Sequence, residues 1–164
     1  MDKPVRKECR PGRVRIGNRC IIKPTKVKFV HKTGTAAFDY LEEFGETGHI
    51  EEMSPDDYLA KVGWQQLPRM IVSNCEHSGY SSWQCRELMK ISTTEEVIAW
   101  QESMLNPKKI DKIALDIAKR KQLDRIPYIH KHQNMQEGRH RMAALKKLGV
   151  EKVPVLVVET KKDG

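Results

Sequence analysis

The chain has 164 residues, of which 38% are hydrophobic and 32% charged, with a formal net charge of +8 and four cysteines. That is length for one domain with an extension and apolar content for a modest core, which excludes a chain that is disordered throughout. No apolar run approaches the roughly 18 residues of a membrane span, and Met1-Asp2-Lys3-Pro4 lacks the apolar stretch of a signal peptide, so a soluble, cytoplasmic protein without a membrane partner is expected.

The charge is unevenly placed. Residues 1–32 hold eleven Lys and Arg against Asp2 and Glu8, whereas the remainder holds nineteen against twenty acids. A basic segment on a near-neutral body is an electrostatic footprint for nucleic acid, because each cation near a phosphate releases a counterion. The plainer readings are a solvated tail or another acidic partner. Arg13-Val14-Arg15-Ile16 and Arg19-Cys20-Ile21-Ile22 flank Gly17-Asn18, which predicts a two-residue hairpin with a mostly arginine outer face. Arg13, Arg15, Arg19 and Lys23 are therefore the candidate nucleic-acid contacts. Two strands alone are marginal in water, so the hairpin must dock on something. Cys9 and Cys20 come near enough for a disulfide in an oxidising setting; reduced thiols are expected. None of the four cysteines forms a C-x-x-C pair.

Val27–Val30 reads as a strand, and residues 36–44 as a helix with Phe38, Leu41 and Phe44 at helical spacing before Gly45. The acidic run from Asp39 to Asp57 meets no Lys or Arg and reads as solvated carboxylates rather than a metal site. Ser54-Pro55-Asp56-Asp57 starts a helix that is expected to reach about Val62. Arg69–Val72 reads as a strand and residues 73–82 as a polar loop. Cys75, His77 and Cys85 match no zinc spacing, which leaves an ordinary loop, with Trp64 and Trp83 as packing residues or base-stacking platforms. Thr93-Thr94-Glu95-Glu96 is a capping box opening a helix with Val97, Ile98, Trp100 and Met104. Asn106-Pro107 ends it, and a second helix from about Lys108 carries Ile110, Ile113, Ala114, Ile117 and Ala118 inside and a basic outer face. Ile126–His130 reads as a strand that starts or edges a sheet at Pro127.

A polar turn at Gly138 then leads into a helix with Met142, Leu145 and Leu148 on one stripe, ended by Gly149, and into the buried strand Val153–Val158. The first amides of a helix have no intrahelical acceptor and sit at the positive end of its dipole, so Gly138, Arg139, His140 and Arg141 together suit a phosphate. Arg139 and Arg141 supply always-charged forks, His140 a proton near neutral pH, and Glu137 a carboxylate for Mg²⁺ or for general-base work. His130 and His132 read as neighbours of this site or as surface residues. No Walker, H-E-x-x-H or Gly-x-Ser-x-Gly motif occurs.

Glu137-Gly138-Arg139-His140-Arg141, followed by Ala143-Ala144, Leu148-Gly149 and Val153-Pro154-Val155, resembles the signature of the ParB/sulfiredoxin-like superfamily, the ParB-like nuclease domain. The likeness covers residues 107–158, with 49–62 as the opening of the domain. It implies a small α/β (α+β) domain over residues 33–164, a mixed sheet with packed helices, to which residues 1–32 add a basic β-hairpin extension. It also implies that Gly138 and Arg141 grip a nucleotide phosphate. Sulfiredoxins carry a cysteine directly after that glycine; Arg139 stands there in this chain, so sulfinic-acid reduction is not implied.

Three functions are consistent with these residues. The first is a nucleotide- or nucleic-acid-phosphate-binding domain acting on or along DNA, with a nucleoside triphosphate and Mg²⁺ as its ligand. The second is a metal-assisted phosphodiester-cleaving or phosphoryl-transfer enzyme, a nuclease, nucleoside-triphosphatase or kinase in which Glu137 and His140 are catalytic. The third is a structural or interaction module of a virus or mobile element, with a vestigial phosphate site.

Overall fold

The run Val153-Pro154-Val155-Leu156-Val157-Val158 is apolar at alternate positions on both sides, and a strand of that kind must be covered on two faces. In the computed structural model, which describes residues 8–30, 41, 46–76 and 82–160, it belongs to such a strand. The elements in chain order are β1 (Arg13–Ile16), β2 (Arg19–Ile22), β3 (Lys28–Phe29), β4 (Glu46–Met53), α1 (Pro55–Ile71), α2 (Trp83–Met89), α3 (Thr94–Ser103), α4 (Pro107–Arg120), β5 (Gln122–Leu123), β6 (Tyr128–His130), β7 (Gln136–Glu137), α5 (Arg139–Lys147) and β8 (Val153–Thr160). The main sheet has the order β4-β8-β6-β7, with β8 parallel to β6 and the other two pairings antiparallel. Val153, Val155 and Val157 face the helices and join a core with Leu59, Met142 and Leu145. Leu156 and Val158 point the other way, to Ile126, Phe29 and Leu41. The fold is thus mixed α/β, as expected.

Local signals place the helix starts. Ser54 caps α1 through the Asp57 amide with Pro55 at its first position, Thr93 and Glu96 form a reciprocal capping box on α3, and Asn106 caps α4 ahead of Pro107. The hairpin forms with Ile16 opposite Arg19 and docks. Ile16 is 1% exposed, and Val14 and Ile21 pack on the same core. Cross-strand pairs share a face, so Arg13 and Arg15 lie outside with Ile22 and Cys20, while Arg19 shares the face of Ile16.

Two expectations fail between residues 63 and 91. The helix begun at Pro55 runs on to Ile71 instead of stopping near Val62, and the strand expected at Arg69–Val72 is its last turn and a π-helical turn, Val72–Glu76. Gly63 acts here as a point of close approach rather than a terminator: a Cβ on it would lie 2.5 Å from Val97 Cγ2, so the glycine lets α1 cross α3 at close range. Pro68 sits on the exposed side and costs the helix one backbone bond, which this packing offsets. The helix α2, capped by Ser82, was not expected within this stretch. The helix expected at 36–44 lies outside the described residues apart from Leu41, which is helical.

The expectation of reduced thiols is also overturned. Cys9 is bonded to Cys20 and Cys75 to Cys85, with Cα–Cα distances of 5.7 and 5.0 Å. The hairpin register brings the first pair together, and the return of α2 onto the π-helical turn brings the second. With both sulfurs of Cys75 and Cys85 in a disulfide, a thiolate metal site there is closed; His77 lies outside the described residues. Replacing Cys75 and Cys85 together by alanine should lower stability by about 2–3 kcal/mol, the loop-closure value for so short a ring. An unchanged urea midpoint would show that α2 is held by its packing alone.

Candidate phosphate-binding site

Gly138, Arg139, His140 and Arg141 form the N-terminus of α5. Gly138 is the N-cap at φ 130°, makes no side-chain cap bond, and precedes three amides, those of Arg139, His140 and Arg141, for which the described residues offer no acceptor. The glycine is needed there, yet not because of a ligand. A Cβ on Gly138 would lie 2.5 Å from Pro127 Cβ and 2.9 Å from Pro127 Cα, so the close approach is to the chain entering β6.

Both guanidiniums are already positioned. Arg141 donates to Glu137 Oε1 at 3.0 Å and to the Arg125 carbonyl at 2.8 Å, and its side chain is 15% exposed. Burial lowers its pKa from the ordinary arginine value, with the Glu137 carboxylate opposing. Arg139 donates to Oε1 of the fully buried Gln101 at 3.0 Å. Beneath the pair lies Tyr58, fully buried, its hydroxyl donating to the Tyr128 carbonyl at 2.8 Å. Burial pushes the Tyr58 pKa well up against the pull of Arg141 and Arg139, so this phenol stays protonated. Arg141 also borders an open cleft of about 540 Å³, with Arg125, Lys109 and Lys112 on its rim and Ile113, Ile117 and Leu123 among its lining.

Glu137 and His140 are each engaged by separate partners within the fold. The Glu137 carboxylate meets Arg141 and lies 3.9 Å from an Arg125 nitrogen. His140 Nε2 accepts the Asn106 backbone N–H at 3.1 Å, which ties α5 to the start of α4 and requires that nitrogen unprotonated. Burial lowers the His140 pKa, with Lys109 and Arg139 adding to it. Its folded value therefore lies below the ordinary 6.5, so the unfolded chain takes up the proton first as pH falls. This contribution to stability is intact above about 6.5 and is lost as pH drops through the window below it. His140→Gln should thus lose less stability than the wild type between about pH 7 and about pH 5, as read from unfolding midpoints. Superimposable pH profiles would remove His140 from that account.

His130 is not a surface residue: it is fully buried and paired with Glu46 at 2.9 Å, away from the Gly138 turn. His132 is exposed, and its backbone N–H donates to His130 Nδ1. Arg13, Arg15, Arg19 and Lys23 are exposed on the hairpin or just past it, and Lys23 lies against Gly149, at the end of α5 opposite to Gly138. Sequence reasoning missed Arg125, Tyr58, Gln101, Lys109 and Lys112 as members of the site. Gln101 alone left a trace, as a polar residue four positions after Val97 on the buried stripe of α3.

Among the described residues no group of three or more His, Cys, Asp or Glu is arranged to hold a metal ion. No helix among them is long and apolar enough to cross a membrane. No family model, no curated protein and no solved structure matches this chain.

Proposed function

We propose that the chain is a phosphate-binding domain of ParB/sulfiredoxin-like type, taking a nucleotide or a nucleic-acid phosphate at the N-terminus of α5 and acting on or along DNA. The observation that carries this is the uncapped start of α5, where Arg139 and Arg141 flank three amides without an acceptor among the described residues. A bound phosphate oxygen would complete those amides, and Glu137 and the Arg125 carbonyl pre-orient the Arg141 fork at no cost on binding. Mg²⁺ belongs to this proposal only as a companion of a triphosphate. Glu137 is held by Arg141, with Arg125 nearby, which does not suit a metal ligand. The cytoplasmic setting is part of the proposal too. Because two disulfides weigh against a reducing compartment, it is proposed for a cytoplasm that leaves disulfides standing.

Filter binding with radiolabelled nucleoside triphosphates and with DNA, combined with product analysis, tests the reading. Arg139→Ala and Arg141→Ala should each weaken binding by about 1.5–3 kcal/mol, the worth of a charge-assisted bond. Both also lose internal bonds, so the unfolding midpoint of each variant is measured alongside. Unchanged affinity in a folded variant would remove the α5 terminus as the site, and turnover would move the protein to the enzyme reading.

A further inference from the structure

Two basic runs that are far apart in the sequence lie side by side in the fold. The hairpin turn rests against the N-terminal half of α4, where a Cβ on Gly17 would lie 3.5 Å from Asp111 Oδ2. At the other end of α4, β3 pairs in parallel with β5, and the Lys28 amide donates to the Lys121 carbonyl at 2.9 Å. Gly17 and Lys28 therefore meet α4 near Asp111 and at Lys121, a helix of 14 residues and so about 21 Å long, while Lys23 between them lies against Gly149 at the end of α5. Both segments carry exposed cations: Arg13 and Arg15 on the hairpin, and Lys108, Lys112 and Lys119 on the outer side of α4. Among the described residues none of those three lysines is in an ion pair. The acids between them are spent, Asp111 on Lys147 and Asp116 on Arg120.

We infer that this composite face, the hairpin together with the outer side of α4, is the docking surface for the phosphate backbone of a nucleic-acid duplex. A field of one sign over a rigid face about 21 Å long complements a polyanion that carries one charge per about 1.7 Å of axis. It fits a bilayer poorly, since the apolar stripe of α4 is spent on the core: Ile110, Ala114 and Ile117 are 7%, 0% and 1% exposed. Such a surface reads no bases; it supplies affinity that is independent of sequence and strongly dependent on salt. The inference rests on nucleic acid being the partner, but not on the α5 terminus being its phosphate site.

The test is fluorescence anisotropy with a labelled duplex of arbitrary sequence across a salt series. Lys108 and Lys119 are chosen because neither borders the cleft beside Arg141. Lys108→Gln with Lys119→Gln should lower affinity at least several-fold at low salt, equally for unrelated duplexes. The same pair should make the log K against log salt slope shallower by about 1.8, at about 0.9 for each phosphate no longer neutralised. Arg13→Gln with Arg15→Gln should do likewise, and Lys108→Arg with Lys119→Arg should keep the wild-type slope. Nucleotide binding should be unchanged in all of them, so loss of duplex binding with nucleotide binding intact separates this surface from the α5 site. An unchanged slope in the folded Lys108/Lys119 glutamine variant overturns the inference. Equal losses in the Gln and Arg variants do the same. So does binding to phosphatidylserine-containing vesicles that is tighter than binding to duplex and is lost in the same glutamine variant.

Discussion

Gly138→Ala is expected to lower stability by about 3–5 kcal/mol, well beyond the common effect of a surface substitution. Two costs combine. At φ 130° a residue with a Cβ is strained by about 1–3 kcal/mol, and the new carbon, 2.5 Å from Pro127 Cβ and 2.9 Å from Pro127 Cα, adds an overpacking cost of similar size. Pro127 is not free to retreat, because its carbonyl accepts the Leu156 amide at 2.9 Å and so holds β6 to β8. The thermal midpoint should fall by roughly 10 °C, at about 2–4 °C for each kcal/mol in a chain of this size. A midpoint within experimental error of the wild type would show that the turn relaxes and that Gly138 is dispensable to the fold. The expected loss also makes this glycine a poor probe of binding, and Arg139 and Arg141 carry that test instead.

The elements that were legible in the sequence are those whose cause is local. The Gly17-Asn18 hairpin, the Thr93–Glu96 capping box, the Ser54 cap, the break at Asn106-Pro107 and the Gly149 helix end each need only residues within a turn of one another. The stretch from Gly63 to Ile91 was not legible because its causes are distant. Gly63 looks like a terminator until Val97 is seen against it, and Ile71-Val72 looks like a strand until α1 is seen to continue through Pro68. The disulfides follow the same rule. Sequence spacing admitted Cys9–Cys20, but pairing Cys75 with Cys85 required a helix, α2, that the polar composition of the preceding residues concealed.

In the site, the sequence located the terminus of α5 but not what surrounds it. Gly138, Arg139 and Arg141 are near neighbours in the chain, so any helix start there collects them. The partners come from elsewhere: Gln101 from α3, Tyr58 from α1, and Arg125 from the loop before β6. Residue type alone made Glu137 and His140 look like an acid and a base. In the fold their bonds to Arg141 and to the Asn106 amide aim a guanidinium and fasten two helices.

The other large effect is expected at His130, which lies in sequence between a strand and a polar loop and is nonetheless fully buried. Its Nδ1 accepts the backbone N–H groups of His132 and Gln133 at 3.1 and 3.0 Å, which leaves Nε2 to donate to Glu46 Oε2 at 2.9 Å. One imidazole thus joins the start of β4 to the turn that carries the chain from β6 to β7 and on to Gly138. His130→Ala removes these bonds at once, together with a longer contact between Nε2 and Thr160 Oγ1 at 3.4 Å, and leaves a nearly buried carboxylate, with a side chain 5% exposed, without its His130 partner. Breaking a buried pair in this way costs about 3–5 kcal/mol, and the emptied space adds to it. Glu46→Gln keeps an acceptor for Nε2 and should cost only about 1 kcal/mol, within the usual net value of one hydrogen bond. Urea unfolding of the two variants separates these outcomes. Equal losses would mean that the charge of Glu46, rather than the anchoring of the turn by Nδ1, is what the pair contributes. A loss below about 1 kcal/mol for His130→Ala would mean that the turn is held by β7 alone.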